Sequence, residues 1–309
     1  MALSRLTVFL AWLVIGVAAL APARAQTLMI GGKNFTEQYL MAEITAQFLR
    51  AKGYMVGTRT GFATTGIRKE QEAGLIDVYW EYTGTSLLAF NNITAKLGPQ
   101  EAYDRVRELD ARKGLVWLSP SRIDNSYALA MRKDDAARKG ISSITDLAAK
   151  VRQGDRFKLV CNLEFYLRPD GLMPLQREYG FEFGDENVIR TGTDTVYDVL
   201  RDAPYIDVGL VFTTDGRIIA YDFLVLRDDR GFFPSYLLAP VVRQRTLDKH
   251  PDLASDLEAL AAKLDNATMA RLNAMIDLEK KPVGAGASFF LQANGLIWPA
   301  VADGTRMRW

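Results

Sequence analysis

Histidine and cysteine, the side chains most often used for nucleophilic, acid–base or metal chemistry, each occur once in this 309-residue chain, as His250 and Cys161. His250 precedes Pro251 and stands far from any carboxylate cluster, so the sequence is a poor match to a Ser-His-Asp or Cys-His pair and to a transition-metal ligand set. The sequence instead concentrates aromatic rings beside carboxylates and hydroxyls. The stretch Asp77-Val78-Tyr79-Trp80-Glu81-Tyr82-Thr83-Gly84-Thr85 is the densest case, and taken alone it reads equally as an ordinary strand and turn or as one edge of a cleft. Glu164 and Arg168 lie four apart, on one face of a helical turn; spacing alone makes them first a solvated bridge worth roughly a few tenths of a kcal/mol. Groups of this kind hold a ligand rather than transform it. No catalytic residue, cofactor or metal is expected, and the chain reads as a binder and not an enzyme.

Such residues need elements that bring strand ends together. Leu28-Met29-Ile30 makes a strand running into the turn Gly31-Gly32, and Asn34 with Glu37 has capping-box spacing for a helix through Leu40, Ile44 and Phe48 to Gly53. Lys33 then projects at the strand's C-terminal edge, where a solvated lysine is the plainer reading. A strand beginning at Tyr54, a helix over 66–74 and a strand over 76–80 follow. Thr83 or Thr85 can cap a helix through Leu87, Leu88 and Phe90. The order β-α-β-α-β implies a parallel sheet with right-handed crossovers.

Further on, a helix over 99–113 and a strand over 115–118 lead to Asp124-Asn125-Ser126-Tyr127, which opens another strand. Strands over 157–161, 188–190 and 206–212 alternate with helices over 144–151, 172–179 and 195–200, and Thr213-Thr214-Asp215-Gly216 is a turn. The segment 223–226 is expected to carry the chain back, and 228–236 is a loop rich in aromatics. Helices over 253–264 and 267–278 and one ending at Ala293 close the chain. The expected class is α/β, with two lobes, a ligand cleft between them and two chain crossings: residues 26–123 and 225–309 form lobe I, and 124–224 form lobe II.

Charge is balanced, with 38 Lys and Arg against 37 Asp and Glu and no block of like sign. That pattern excludes a nucleic-acid footprint and a polybasic membrane patch. Residues 1–25 read as a signal peptide: Arg5, an apolar run over 6–20, then Ala23-Arg24-Ala25 before the cut. A periplasmic mature chain beginning at Gln26 is expected. A single cysteine allows no intrachain disulfide, and Cys161 ends an apolar run as a small buried strand residue.

Five stretches in this order carry a resemblance across almost the whole mature chain: Gly32-Lys33-Asn34-Phe35-Thr36-Glu37-Gln38, the Asp77 to Thr85 segment, Asn125-Ser126-Tyr127-Ala128-Leu129, Glu164-Phe165-Tyr166-Leu167-Arg168-Pro169-Asp170-Gly171, and Thr213-Thr214-Asp215-Gly216-Arg217. Together they resemble the substrate-binding proteins of osmoprotectant ABC importers, which bind glycine betaine, carnitine, choline or proline betaine. The resemblance implies a type II periplasmic binding protein fold whose lobes close on the ligand. It also implies an aromatic box for a quaternary ammonium, formed by Tyr82, Tyr127 and Tyr236, with Phe212 where relatives more often carry tyrosine. Asn125, just ahead of Tyr127, stands where some relatives are acidic. Lys33, Arg168 and Thr85 map to the groups that receive a ligand carboxylate, with Glu164 holding the Arg168 guanidinium. Gln38 and Glu81 belong to the motifs and are given no ligand role.

The resulting expectation is a periplasmic, monomeric receptor that binds a quaternary amine and delivers it to the permease subunits of an ABC transporter. A receptor of the same fold for another small solute, an amino acid or a different cation, stays open. An exported enzyme using Glu164 and Glu81 as acid and base is the remote alternative.

Overall fold

The computed structural model describes residues 27–298, so the expected signal segment 1–25 lies outside the described residues. Among the described residues ten strands form two five-stranded sheets. The first sheet contains β1 (Leu28–Lys33), β2 (Val56–Phe62), β3 (Val78–Tyr82), β4 (Leu115–Trp117) and β10 (Leu238–Arg243), in the order β2-β1-β3-β10-β4. β1 pairs in parallel with β2 and β3, as the β-α-β-α-β reading requires, whereas β10 runs antiparallel between β3 and β4. The second sheet contains β5 (Tyr127–Arg132), β6 (Leu159–Asn162), β7 (Val188–Thr191), β8 (Val208–Phe212) and β9 (Phe223–Val225), in the order β7-β6-β8-β5-β9.

β3 is the centre of the first sheet and is buried along its whole length. A strand covered on both faces carries a continuous apolar run rather than an alternating one, and its polar members must be bonded internally. Trp80 donates from Nε1 to Thr45 Oγ1 at 2.8 Å. Just before the strand, Asp77 accepts from the Met29 amide at 2.9 Å and from Thr246 Oγ1 at 2.7 Å. Both residues, which the sequence left between framework and site, are framework.

Two local expectations change. The helix Thr36–Ala51 has Phe35 at its N-cap with no side-chain capping bond, so the Asn34–Glu37 capping box does not form. Glu37 instead turns inward, where neutral donors from three distant segments reach it. After β3 the backbone makes a short turn, Thr83–Thr85, and then a π-helical turn, Ser86–Phe90, again without a threonine cap. Thr83 uses its hydroxyl elsewhere: it donates to the Ser235 carbonyl at 3.0 Å and accepts from the Leu237 amide at 3.1 Å.

The return to the first sheet comes later than 223–226. β9 pairs antiparallel with the open edge of β5, Ala130 opposite Val225 and Arg132 opposite Phe223, and the expected boundary between 224 and 225 cuts through it. The chain crosses back just before β10. There the two crossings lie side by side: the Asn125 amide donates to the Tyr236 carbonyl at 3.2 Å, the Leu238 amide to the Ile123 carbonyl at 3.0 Å, and the Asp124 carboxylate receives the Tyr236 amide at 2.7 Å and the Ser235 hydroxyl at 2.6 Å.

Candidate ligand site

Strand ends of both sheets point at each other across the seam. β3 ends at Tyr82 and β1 at Lys33, while β5 begins at Tyr127, β6 ends at Asn162 and β8 at Phe212. Between them lies a small cavity of about 30 Å³. Lys33, Tyr82, Thr85, Asn125, Tyr127, Glu164, Phe212 and Tyr236 all line it. Arg168, the ninth residue expected there, does not.

The rings form an unbroken wall. Phe35 stacks on Tyr82 with centroids 6.4 Å apart and on Phe212 at 5.7 Å and 18°. Phe212 meets Tyr127 at 5.1 Å, and Tyr127 meets Tyr236 edge-on at 5.5 Å and 71°. Tyr236 is brought this close by Gly84, where a Cβ would stand 2.9 Å from both the Tyr236 ring and the Ser235 carbonyl oxygen. No side chain fits between this turn and the ring.

The three tyrosine hydroxyls differ. Tyr82 donates to Glu37 Oε1 at 2.7 Å and accepts from Gln38 Nε2 at 3.1 Å. Tyr236 donates to Asp170 Oδ2. Tyr127 has no hydrogen-bond partner for its hydroxyl among the described residues, and neither has Thr85. Burial, then the nearby Glu37 carboxylate, pushes the Tyr82 phenol well above its usual range; burial does the same for Tyr236, with Asp170 adding to it. All the rings are therefore neutral, with intact π faces.

Charged groups meet each other before they meet the cavity. Lys33 Nζ lies 2.6 Å from Glu81 Oε1, both side chains buried, and 4.9 Å from the centre of the Tyr82 ring. Glu81 also accepts from the Tyr79 hydroxyl at 3.0 Å and the Tyr82 amide at 2.7 Å. Glu81 is thus the anchor of Lys33, a role the sequence did not assign. Arg168 forks onto Asp170 through Nε and Nη2, at 2.7 and 2.6 Å, and Nη1 donates to Glu164 at 3.1 Å. The tight turn through Gly171, where a Cβ would fall 1.8 Å from the Phe165 carbonyl oxygen, puts Asp170 under the guanidinium. The expected carboxylate clamp is occupied by the protein's own Asp170. Glu164 does reach the cavity, and it accepts from Thr64 Oγ1 at 2.7 Å across the seam.

The sequence missed Asn34, Phe35, Thr64, Asn162 and Thr193 as lining residues. Phe35 had a signal, an aromatic two residues past the end of β1; the others are small polar residues at the ends of elements or in loops, which carry none.

A family model for the substrate-binding domain of ABC-type glycine betaine transport systems matches residues 26–293. The chain belongs to this family. It is 40% identical to a glycine-betaine-binding protein of Pseudomonas aeruginosa, over 91% of this chain and 92% of that one. It is 31% identical to the glycine betaine-binding protein YehZ of Escherichia coli, over 88% and 92% of the two chains. The solved structure of apo YehZ superposes with a TM-score of 0.66 at 29% identity, covering 88% of this chain and all of the other. A solved glycine betaine/carnitine/choline ABC transporter protein gives 0.71 at 25% identity, covering 87% and 99%. The two sheets are therefore the lobes of a type II periplasmic binding protein, and family members of this kind are binding proteins of ABC importers.

Proposed function

We propose that this chain is a periplasmic receptor which captures a quaternary amine, glycine betaine or a close relative, and passes it as a monomer to an ABC permease. The observation behind this reading is the continuous ring wall Tyr82, Phe35, Phe212, Tyr127 and Tyr236, drawn from both lobes and the returning crossing around one cavity. A trimethylammonium has charge but no N–H, so hydrogen-bonding groups give it no special welcome. Ring faces offer it negative quadrupole and close packing, each worth roughly 0.5–2 kcal/mol according to desolvation. The closing bodies are 27–123 with 238–298, and 127–233, and capture is their closure. Binding rather than chemistry is the reading that the matched relatives support, since they are named as binding proteins.

Isothermal titration with glycine betaine, choline, carnitine and proline betaine tests the reading. Saturable heat from at least one supports it; no heat and no thermal shift up to millimolar ligand rejects it. One observation favours a particular member of the class. Lys33 and Arg168 are already matched to Glu81 and Asp170, while Glu164 faces the cavity. A ligand ending in an alcohol, such as choline, meets less opposition here than one ending in a carboxylate, and the ratio of the two dissociation constants ranks them.

A further inference from the structure

Glu37 is almost wholly buried, at 2% exposure, yet no cation neutralises it among its hydrogen-bond partners. A buried carboxylate is costly unless hydrogen bonds satisfy it. Burial raises its pKa above the ordinary value, against the opposing pull of the Thr214, Tyr82 and Asn125 hydrogen bonds. The origin of these donors is informative. The Tyr82 hydroxyl, at 2.7 Å, is part of the ring wall on the first lobe. The Asn125 amide, at 3.1 Å, belongs to the first crossing. The Thr214 hydroxyl, at 2.6 Å on the other carboxylate oxygen, follows β8 on the second lobe.

Thr214 is a docking point in its own right. Its carbonyl accepts from Asn273 Nδ2 at 3.0 Å, on the first-lobe helix Asn266–Asp277, and its amide reaches Asn125 Oδ1 at 3.4 Å. Two residues on, Gly216 sits against the same helix, where a Cβ would come within 2.7 Å of both the Ala270 carbonyl oxygen and Ala274 Cβ. Arg217 Nη2 lies 3.4 Å from Asp277 Oδ2 at the end of that helix. The turn Thr213 to Arg217 is thus the face by which the second lobe seats on the first.

We propose that Glu37 is a positioning residue that couples lobe seating to the binding wall: it registers the second lobe through Thr214 and fixes the Tyr82 ring through its hydroxyl. The inference rests on the reading of the cavity as a quaternary-amine site, and it adds a residue to which no ligand role attaches. When the lobes part, Glu37 loses the Thr214 donor and gains water, and its grip on Tyr82 is exchanged for solvation. When they seat, both oxygens are filled and Tyr82 is held in the orientation that presents its face. Closure and ring orientation become one event.

A double-mutant cycle with Tyr82→Phe and Thr214→Val tests this, since each change deletes a donor to Glu37, the first also removing the acceptor of the Gln38 amide, a loss that the cycle cancels. Dissociation constants for glycine betaine and choline are measured for the wild type, each single variant and the double, then repeated in Glu37→Gln. The two losses should be non-additive by about threefold or more in Kd, and the coupling should vanish in the Glu37→Gln background, whose own Kd rises about tenfold. Small-angle scattering should show that Glu37→Gln compacts less on adding ligand, with its melting temperature retained. A residue with a merely structural role would lower the melting temperature and leave the coupling intact. Additive losses, or equal coupling in the Glu37→Gln background, overturn the proposal. The same cycle is run on unfolding free energy. If the wild type binds none of the amines, the ligand reading fails alone and the unfolding cycle still decides whether Glu37 joins Tyr82 to Thr214; should Glu37→Gln not fold, the Tyr82–Thr214 cycle stands without it.

Discussion

The two sides of the cavity are built differently. On the first lobe the cavity-lining side chains are tied down by buried hydrogen bonds: Tyr82 to Glu37 and Gln38, Lys33 to Glu81, and Glu81 in turn to Tyr79. On the second lobe Phe212 and Tyr127 are held by ring contacts, with Phe165 5.3 Å from Tyr127, and the Tyr127 hydroxyl has no hydrogen-bond partner among the described residues. Hydrogen bonds fix orientation, whereas ring packing fixes position and tolerates rotation. With the lobes seated, the first lobe is therefore a fixed platform and the second an adaptable cover.

That contrast can be broken by experiment. Tyr82→Ala removes a ring from the platform and should cost about 1–3 kcal/mol of quaternary-amine binding by titration calorimetry. Phe212→Ala on the cover should cost less, about 0.5–1.5 kcal/mol, because neighbouring rings can shift. Equal losses would erase the distinction. Gly84→Ala should cost about 1–2 kcal/mol of binding by driving Tyr236 off its backbone seat, and a crystal structure should show that ring displaced; an unmoved ring with wild-type affinity would refute the steric argument.

Smaller effects sharpen the picture at the polar end. Asp170→Asn releases the Arg168 guanidinium from its forked partner and should shift the betaine-to-choline affinity ratio toward betaine by up to about tenfold. No shift would mean that Arg168 cannot turn to the cavity. The least effect concerns pH. Asp277, which accepts from Thr36 at 2.7 Å, is pushed up to about 6 by burial, with Arg217 opposing the rise. A carboxyl raised in the folded state binds its proton more tightly there than in the unfolded chain. Its contribution is best below the ordinary carboxylate value and declines as pH rises through about 6. Between pH 5 and 7.5 the wild type should lose on the order of 1–3 °C from this group, a slope that Asp277→Asn should flatten in a thermal melt.

Much of the architecture was legible because it is periodic or local. Apolar runs marked the strands, and the helices Leu172–Tyr179 and Val283–Ala293 fall where spacing and the closing residues put them. The ring residues were legible only through the order of five motifs. Glu37 was not, because three residues after Asn34 it fits a capping box, whereas its actual partners are 45, 88 and 177 positions away. The fork of Arg168 onto Asp170 was hidden for the opposite reason: Asp170 is two residues on, too near for helical spacing to pair them, whereas the Glu164 contact four residues back was legible. The segment 223–226 was expected to carry the chain back, and its pairing with β5 was not legible because a three-residue edge strand has no pattern of its own.

The paired crossings have a consequence for the transport cycle. Because Asp124 and Asn125 bind the returning segment at Ser235 and Tyr236, the two connections form a single ribbon rather than two independent tethers. A ribbon bends about one axis and resists twist. In the closure proposed above, a single ribbon would confine the lobes to one opening coordinate, with the gap between them as its measure. A transporter that responds to the gap between the lobes is thereby told whether cargo is aboard without ever touching it.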